Sequence, residues 1–274
     1  MKIVTTAIII VSLGLAAPTQ AENPAQVKQL RDTNQCQNCD LSGANLSRTH
    51  LKGVNLSGAD LSRAVLSYAN LGNADLRNTN FSNANLQSAS LENTDLRGAN
   101  LRGANLEIAI LKGAKIDRTT TIDDKNRLIW EISTQSARER NLSGADLSRA
   151  HLQNVIFSRA NLSRANLSAS QLNGVSLSSA NLSGANLSNA NLNRANLTNA
   201  DLTDANLQGA DLRGADLSAA KLRGANLSAA DLSGADFRRD SVWGNTQLKG
   251  VNLQGVNLCS AIMDDDTRSV QGCH

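Results

Sequence analysis

The stretch 181-NLSGANLSNANLNRANLTNADLTDANLQGADLRGADL-217 repeats one five-residue unit: Leu, two polar residues, Ala, and then Asn or Asp. Beyond this stretch the same spacing places an apolar residue at 40 central positions, of which 35 are Leu. The central positions form three blocks, from Leu41 to Ile116, from Leu142 to Phe237 and from Leu248 to Met263. Two residues before the centre, Ala occurs in 28 units, and the one large residue at this position is Arg140. One short repeat therefore dominates the chain.

A period of five fits neither an α-helix, which repeats about every 3.6 residues, nor a β-strand, which alternates about every two residues. Each unit must therefore contain its own corner. We expect the Leu and the small residue to point inward, and the Asn or Asp and the two residues after the Leu to point outward. Gly or Ser near the corner accepts the turn conformation. The chain should coil, with successive coils joined by main-chain hydrogen bonds.

Units such as 44-ANLSR-48, 59-ADLSR-63 and 185-ANLSN-189 resemble the A(D/N)LXX signature of the pentapeptide repeat proteins. The resemblance covers most of the chain. It implies an all-β fold, a right-handed quadrilateral β-helix with one unit per side and four units per coil. The segments CQNCDLSGANL and RLIWEISTQSARERNLSGADL are also similar to exported members of this family from cyanobacteria.

A single repeat unit cannot fold alone. Ordering five residues of backbone costs about 5 to 10 kcal/mol, whereas burial of one Leu returns roughly 1.5 to 3 kcal/mol. Stability must come from stacked coils, and the ends of the stack need caps. The segment 24-PAQVKQL-30 predicts a short N-terminal capping helix, and the tail 264-DDDTRSVQGCH-274 can cover the other end.

The N-terminus predicts export. An apolar run from Ile3 to Leu15 is too short to span a membrane comfortably, and Thr19-Gln20-Ala21 places small residues as signal peptidase requires. Cleavage after residue 21 removes Lys2 and no acid, so the formal net charge falls from +3 to +2. We expect a periplasmic or thylakoid-lumen protein rather than an extracellular one, without stable membrane insertion after cleavage.

The sequence predicts seven segments in order. They are a signal peptide at 1–21, an N-terminal cap with a CxxC motif at 22–38, a first repeat block at 39–118, a helical insert at 119–139, a second block at 140–239, a short third block at 240–263 and a C-terminal tail at 264–274.

Four cysteines in an exported chain suggest disulfides. We predict the pairs Cys36 with Cys39 and Cys259 with Cys273. Cys36 and Cys39 could instead form a redox pair, but the strand and helix pattern of a thioredoxin does not surround them. One zinc ion shared by all four thiols is impossible if the coils form one continuous rod, because the two pairs would then lie at opposite ends.

The sequence shows no arrangement of residues that would support catalysis. His50 and His151 each stand just before a centre, an outward position, and His274 is the last residue. The many serines follow Leu by the logic of the repeat and lack an adjacent base. We therefore expect no catalytic, cofactor-binding or metal-binding residues and no enzyme activity.

The predicted function is that of a rigid, exported, non-enzymatic scaffold that binds a protein or cell-envelope partner, whose identity the sequence leaves open. The alternative is a DNA-mimicking topoisomerase inhibitor or protector of the family's cytoplasmic type. That activity needs a strongly negative surface, whereas this chain has 27 Lys and Arg against 24 Asp and Glu. Nucleic-acid binding would need a basic stripe, but Asp75 and Asp95 stack beside Arg77 and Arg97. We expect no nucleic-acid partner.

A candidate interaction strip breaks the polar pattern of the outward positions. Its outward apolar residues in the first block are Val65, Tyr68, Ile108 and Ile110, and we add Trp130 from the insert. The segment 123–132 predicts a short helix that leaves the coil. Either this helix folds back, covers the strip and buries Trp130, or both stay exposed as a partner site.

Overall fold

The computed structural model describes residues 23–238, 253–263 and 268–273. The chain forms two compact units, Met1–Thr134 and Gln135–His274. The predicted signal peptide lies outside the described residues, as does much of the third block. In the described part of the chain, no helix is long and apolar enough to cross a membrane.

In both units the chain coils with four repeat units per turn. Asp40 forms a parallel β-bridge with Asp60, Asp60 with Asn80, and Asn80 with Asn100. The same spacing of twenty residues runs through most of the second unit. Since twenty residues hold four five-residue units, each unit of sequence forms one side of a coil.

The structure contains both expected helices but corrects the expected β content. Over the residues that are described, the helices are α1 (Pro24–Thr33) and α2 (Asp124–Thr134), and the extended segments are single-residue bridges rather than strands of several residues. The reason is the corner within each unit. The Asn or Asp pairs with the next coil, the Leu turns inward, and the next two residues form the turn.

The core is a column of Leu flanked by Ala. Leu187 and Ala185 are at most 1% exposed, and Phe81 and Phe157 replace Leu without becoming exposed. Some Ala positions carry a hydroxyl residue, which is buried because its hydroxyl donates to a main-chain carbonyl. These residues are Thr49, Thr79, Thr94, Thr120 and Ser170. Throughout the described segments, every buried side-chain nitrogen or oxygen has a hydrogen-bond partner.

The coils extend beyond the repeat blocks that the sequence delimits. Cys36, Ile122 and Ala137 occupy the central position of a unit in place of Leu, and all three are buried. Thr121 still pairs with Asn100, across 21 residues instead of twenty. Degenerate units therefore continue the stack where the Leu pattern has ended.

Helix α1 caps the first coil. Its N-cap is Asn23, and Leu30 is its buried residue. The Gln26 side-chain oxygen accepts the main-chain N–H of Asp40 at 2.5 Å. One coil later the N–H of Asp60 donates to a carbonyl of the preceding coil. The side chain of Gln26 thus supplies the acceptor that a preceding coil would have supplied.

Helix α2 caps the last coil of the first unit in the same way. Trp130 Nε1 donates to the carbonyl of Ala114 at 2.7 Å, and Arg127 Nη2 donates to the carbonyl of Thr120 at 3.0 Å. One coil earlier the equivalent carbonyl, that of Thr94, accepts from a main-chain N–H. Two side chains of α2 therefore replace donors of a further coil.

Both cysteine pairs are joined in the structure. The Sγ atoms of Cys36 and Cys39 are 2.05 Å apart, and those of Cys259 and Cys273 are 2.07 Å apart. The first disulfide lies inside the first coil. The second connects the last described coil to the tail 268–273.

Candidate interaction surface

The histidines and acids do not assemble a catalytic or metal centre in the described residues. His50 is exposed in the first unit, and His151 is half-buried in the second. Within the described segments, no three side chains among His, Cys, Asp and Glu lie close enough together to hold a metal ion.

The outward Asn residues form hydrogen-bonded ladders along the coils. Asn186 Oδ1 accepts the N–H of Ser188 at 3.1 Å, which fixes the turn. Its Nδ2 donates to Asn166 Oδ1 at 3.5 Å, and Asn206 Nδ2 donates to Asn186 Oδ1 at 3.3 Å. These amides already form hydrogen bonds within and between coils, so they have little remaining hydrogen-bonding capacity for a ligand.

Half of the acids that stack on another acid are neutralised by an Arg two residues later. Asp75 and Asp95 lie one coil apart, and each forms a bidentate pair, with Arg77 and Arg97 respectively. These hydrogen bonds hold the pKa of both carboxyl groups below the ordinary value, although burial opposes the shift. The same arrangement occurs at Asp211 with Arg213 and at Asp236 with Arg238. The pairs leave no acidic stripe on these sides.

An open cleft lies next to the pairs in the first unit. Its lining includes Arg77, Arg97 and Asp117. Both guanidinium groups are already bound to acids, and Asp117 adds a negative charge whose pKa is lowered by a hydrogen bond from Thr119. The cleft therefore has no clear preference for an anion.

The candidate strip centres on Tyr68, which is 58% exposed. The guanidinium carbon of Arg48, one coil earlier, is 5.3 Å from the centroid of its ring, a cation–π distance. Val65, Ile108 and Ile110 are half-buried. Ile108 holds the same corner position as Tyr68, two coils later. The structure thus places apolar groups on one side of the first unit, and Ile110 lies on the next side.

Tyr68 and Ile108 occupy corner positions whose backbone conformation favours other residue types. Their φ angles are +60° and +56°, in the left-handed region. Asn73 and Asn83 hold corresponding corners at nearly the same angles. Asn and Gly tolerate this conformation, whereas a β-branched or bulky residue there is an outlier. The corner is left-handed in other units as well, and it disfavours the bulky Tyr68 and the β-branched Ile108.

The strip is neither fully covered by helix α2 nor exposed along its whole length. Trp130 is half-buried and bonded to Ala114, while Ile129 and Ile132 are the buried residues of α2. Tyr68 remains open. The contact of Arg48 with Tyr68 was not predicted, although their spacing of twenty residues, one full coil, is visible in the sequence.

Two family models match the chain. One, a pentapeptide repeat region, matches residues 33–106, and the other, pentapeptide repeats in eight copies, matches residues 141–178, 180–218 and 200–239. The chain belongs to the pentapeptide repeat family. No curated protein matches it significantly.

Solved structures similar to this chain include the following three. HetL, from the cyanobacterium Nostoc sp. strain PCC 7120 and involved in heterocyst differentiation regulation, is 31% identical over 86% of this chain and 89% of its own, with a TM-score of 0.33. A pentapeptide repeat protein of the Arabidopsis thaliana thylakoid lumen is 32% identical over 47% and 72%, with a TM-score of 0.28. The plasmid-mediated fluoroquinolone resistance protein QnrB1 is 24% identical over 81% and 79%, with a TM-score of 0.26.

Proposed function

We propose that this protein is an exported, non-enzymatic scaffold that binds a protein partner through the strip around Tyr68 and Ile108. The observation that carries the proposal is the placement of two apolar side chains at left-handed corners of one column. Such corners cost free energy for these residue types, and strained residues cluster at sites of contact.

Burial does not account for Tyr68, and Ile108 is only half-buried. Tyr68 is 58% exposed, so the folded chain gains little hydrophobic stabilisation from it. A partner that covered Tyr68 and Ile108 would recover this gain. Tyr and Arg are also the side chains that most often dominate binding energy at protein interfaces, and Arg48 already holds the Tyr68 ring.

The binding experiment uses the double variant Tyr68→Ser and Ile108→Ser. Ser fits both corners, because Ser88 stands between them in the same column at φ +57°. Affinity capture with the exported protein as bait should recover a partner with the unchanged chain, and affinity should fall about tenfold or more with the double variant. The control is Asn73→Ser, at the corresponding corner of the next side. Equal capture by the double variant would exclude the strip.

Export is tested separately. The exported protein should begin at Glu22, because cleavage is expected after Ala21. N-terminal sequencing of protein from the periplasm or lumen measures this directly. An uncleaved chain in the cytoplasm would refute export without bearing on the strip.

A further inference from the structure

The tail 268–273 takes the place of a further coil at the end of the second unit. Arg268 forms an antiparallel bridge with Ile262. The N–H of Ser260 donates to the carbonyl of Ser269 at 2.9 Å. Corresponding N–H groups in earlier coils donate to the next coil. The tail therefore satisfies main-chain donors that would otherwise form an open edge.

Side-chain burial contributes little to holding this tail. Residues 268–273 are exposed except for the half-buried Ser269, and Val270 is 83% exposed. Arg268 Nη1 donates to the carbonyl of Ser260 at 3.1 Å. The described tail thus depends on a few hydrogen bonds at the surface and on the covalent bond from Cys273 to Cys259.

The two disulfides differ in access. Cys36 and Cys39 are 0% and 4% exposed, inside the first coil. Cys273 is exposed and Cys259 is half-buried. Disulfide exchange requires a thiolate to reach one of the sulfur atoms, so access selects the second disulfide.

The surroundings of Cys259 favour its departure from the disulfide. Its Sγ lies 3.8 Å from the hydroxyl oxygen of Ser260. This hydroxyl can donate a hydrogen bond to a thiolate that forms on Cys259. A stabilised thiolate leaves faster in exchange, which directs attack toward the sulfur of Cys273.

We infer that the disulfide Cys259–Cys273 is a thiol-sensitive latch that a dithiol reductant opens to release the tail from the coil edge. One thiolate of the dithiol attacks Cys273 Sγ, breaks the disulfide and releases the Cys259 thiolate. The reductant is now joined to Cys273 through a mixed disulfide. Its second thiol attacks the reductant sulfur of that mixed disulfide and expels the Cys273 thiolate. The reductant becomes a disulfide, and the protein gains two electrons and two protons.

Opening the latch should loosen the tail strongly. The disulfide closes a loop of 14 residues of sequence separation. Loop closure of this size corresponds to about a 100-fold change in the equilibrium for tail docking. The edge that the tail covers would then present unpaired main-chain groups.

The experiment treats the oxidised full-length protein with increasing dithiothreitol. Differential alkylation with mass mapping should show Cys259 and Cys273 opening first, while Cys36 and Cys39 stay joined. Hydrogen exchange protection at Ser260 and Ser269 should fall about 100-fold at the same step, whereas the amide of Asn186 keeps its protection. Earlier opening of Cys36–Cys39, or a tail that stays protected after reduction, would overturn the latch.

Two variants sharpen the test. The double variant Cys259→Ser and Cys273→Ser should show the low tail protection without reductant, and full protection would contradict the inference. Ser260→Ala should slow reduction several-fold, and an unchanged rate would remove the role given to Ser260. Ala fits there because Ala229 holds an equivalent corner at φ +57°.

Discussion

The effect of a substitution on stability depends on whether its position in the repeat points inward or outward. Leu187 is 0% exposed, and Leu187→Arg would place an unpaired charge between stacked coils, with a loss of several kcal/mol. Ser188→Arg should cost under about half a kcal/mol, because Arg213 already occupies the corresponding place after Leu212. Thermal unfolding of both variants measures the difference. Equal losses would refute the assignment of inward and outward positions.

The strained corner at Ile108 predicts a gain in stability on substitution. Ile108→Asn should raise the free energy of unfolding by about 0.5 to 1 kcal/mol, because Asn tolerates the left-handed region and Ile does not. Asn83 holds such a corner at φ +58°, so Asn83→Ile is the matched control and should lose stability. Denaturant unfolding gives both values. Destabilisation by Ile108→Asn would show that packing, not backbone strain, dominates there.

The stacked acids predict a dependence of stability on pH. The pKa of Asp75 and Asp95 is lowered in the folded chain by hydrogen bonds from Arg77 and Arg97. A lowered folded pKa means that the contribution is complete above the unfolded pKa, about 3.9. It is lost as the pH falls through the lower folded pKa.

Removal of both guanidinium groups should move acid unfolding to higher pH. In the variant Arg77→Gln and Arg97→Gln, the two carboxylates remain one coil apart, and the charge of Asp95 raises the pKa of Asp75. Circular dichroism during acid titration measures the midpoint. Arg102→Gln is the control, since Arg102 follows a buried Leu but belongs to a unit with Asn100. A midpoint that stays in place would mean that the pairs contribute nothing.

Each capping helix replaces a missing coil with side-chain groups. Trp130→Phe keeps an aromatic six-membered ring but removes the pyrrole part of the indole with the N–H that donates to Ala114, so the free energy of unfolding should fall by at least about 1 kcal/mol. Hydrogen exchange should show the loss first in α2 (Asp124–Thr134). Wild-type protection of α2 in this variant would mean that Ile129 and Ile132 hold the helix without the bond.

The sequence predicts the regular parts of this fold and misses what depends on contacts between coils. The positions of Leu187 and Ala185 follow from periodicity, and α1 and α2 follow from their start signals and apolar spacing. The continuation of the coil through Cys36 and Ala137 does not, because neither is Leu. The bond from Trp130 to Ala114 also escapes prediction, since it depends on how α2 sits on the coil edge.

The charged residues are distributed unevenly along the chain. One segment has none, and in other segments several acids pair with arginines. Residues 165–193 contain no charged residue, and their Asn and Ser side chains include ladder members such as Asn186. Elsewhere acids such as Asp211 and Asp236 pair with arginines. One stacked pair, Asp40 with Asp60, lacks an Arg at the second position after either acid. The described surface is thus mixed in sign and largely satisfied internally.

This pattern predicts the outcome for the DNA-mimic alternative. DNA mimicry needs a continuous row of negative charge, whereas Asp75 and Asp95 are each neutralised by an Arg within 3 Å. The purified mature protein should leave the supercoiling activity of a bacterial type II topoisomerase unchanged. It should also show no binding to duplex DNA of the salt-dependent kind that phosphate contacts produce. As a control, the variant Arg77→Gln and Arg97→Gln makes that side more negative. Inhibition by the unchanged chain would favour mimicry over the scaffold, and inhibition only by the variant would show that the arginines are what exclude it.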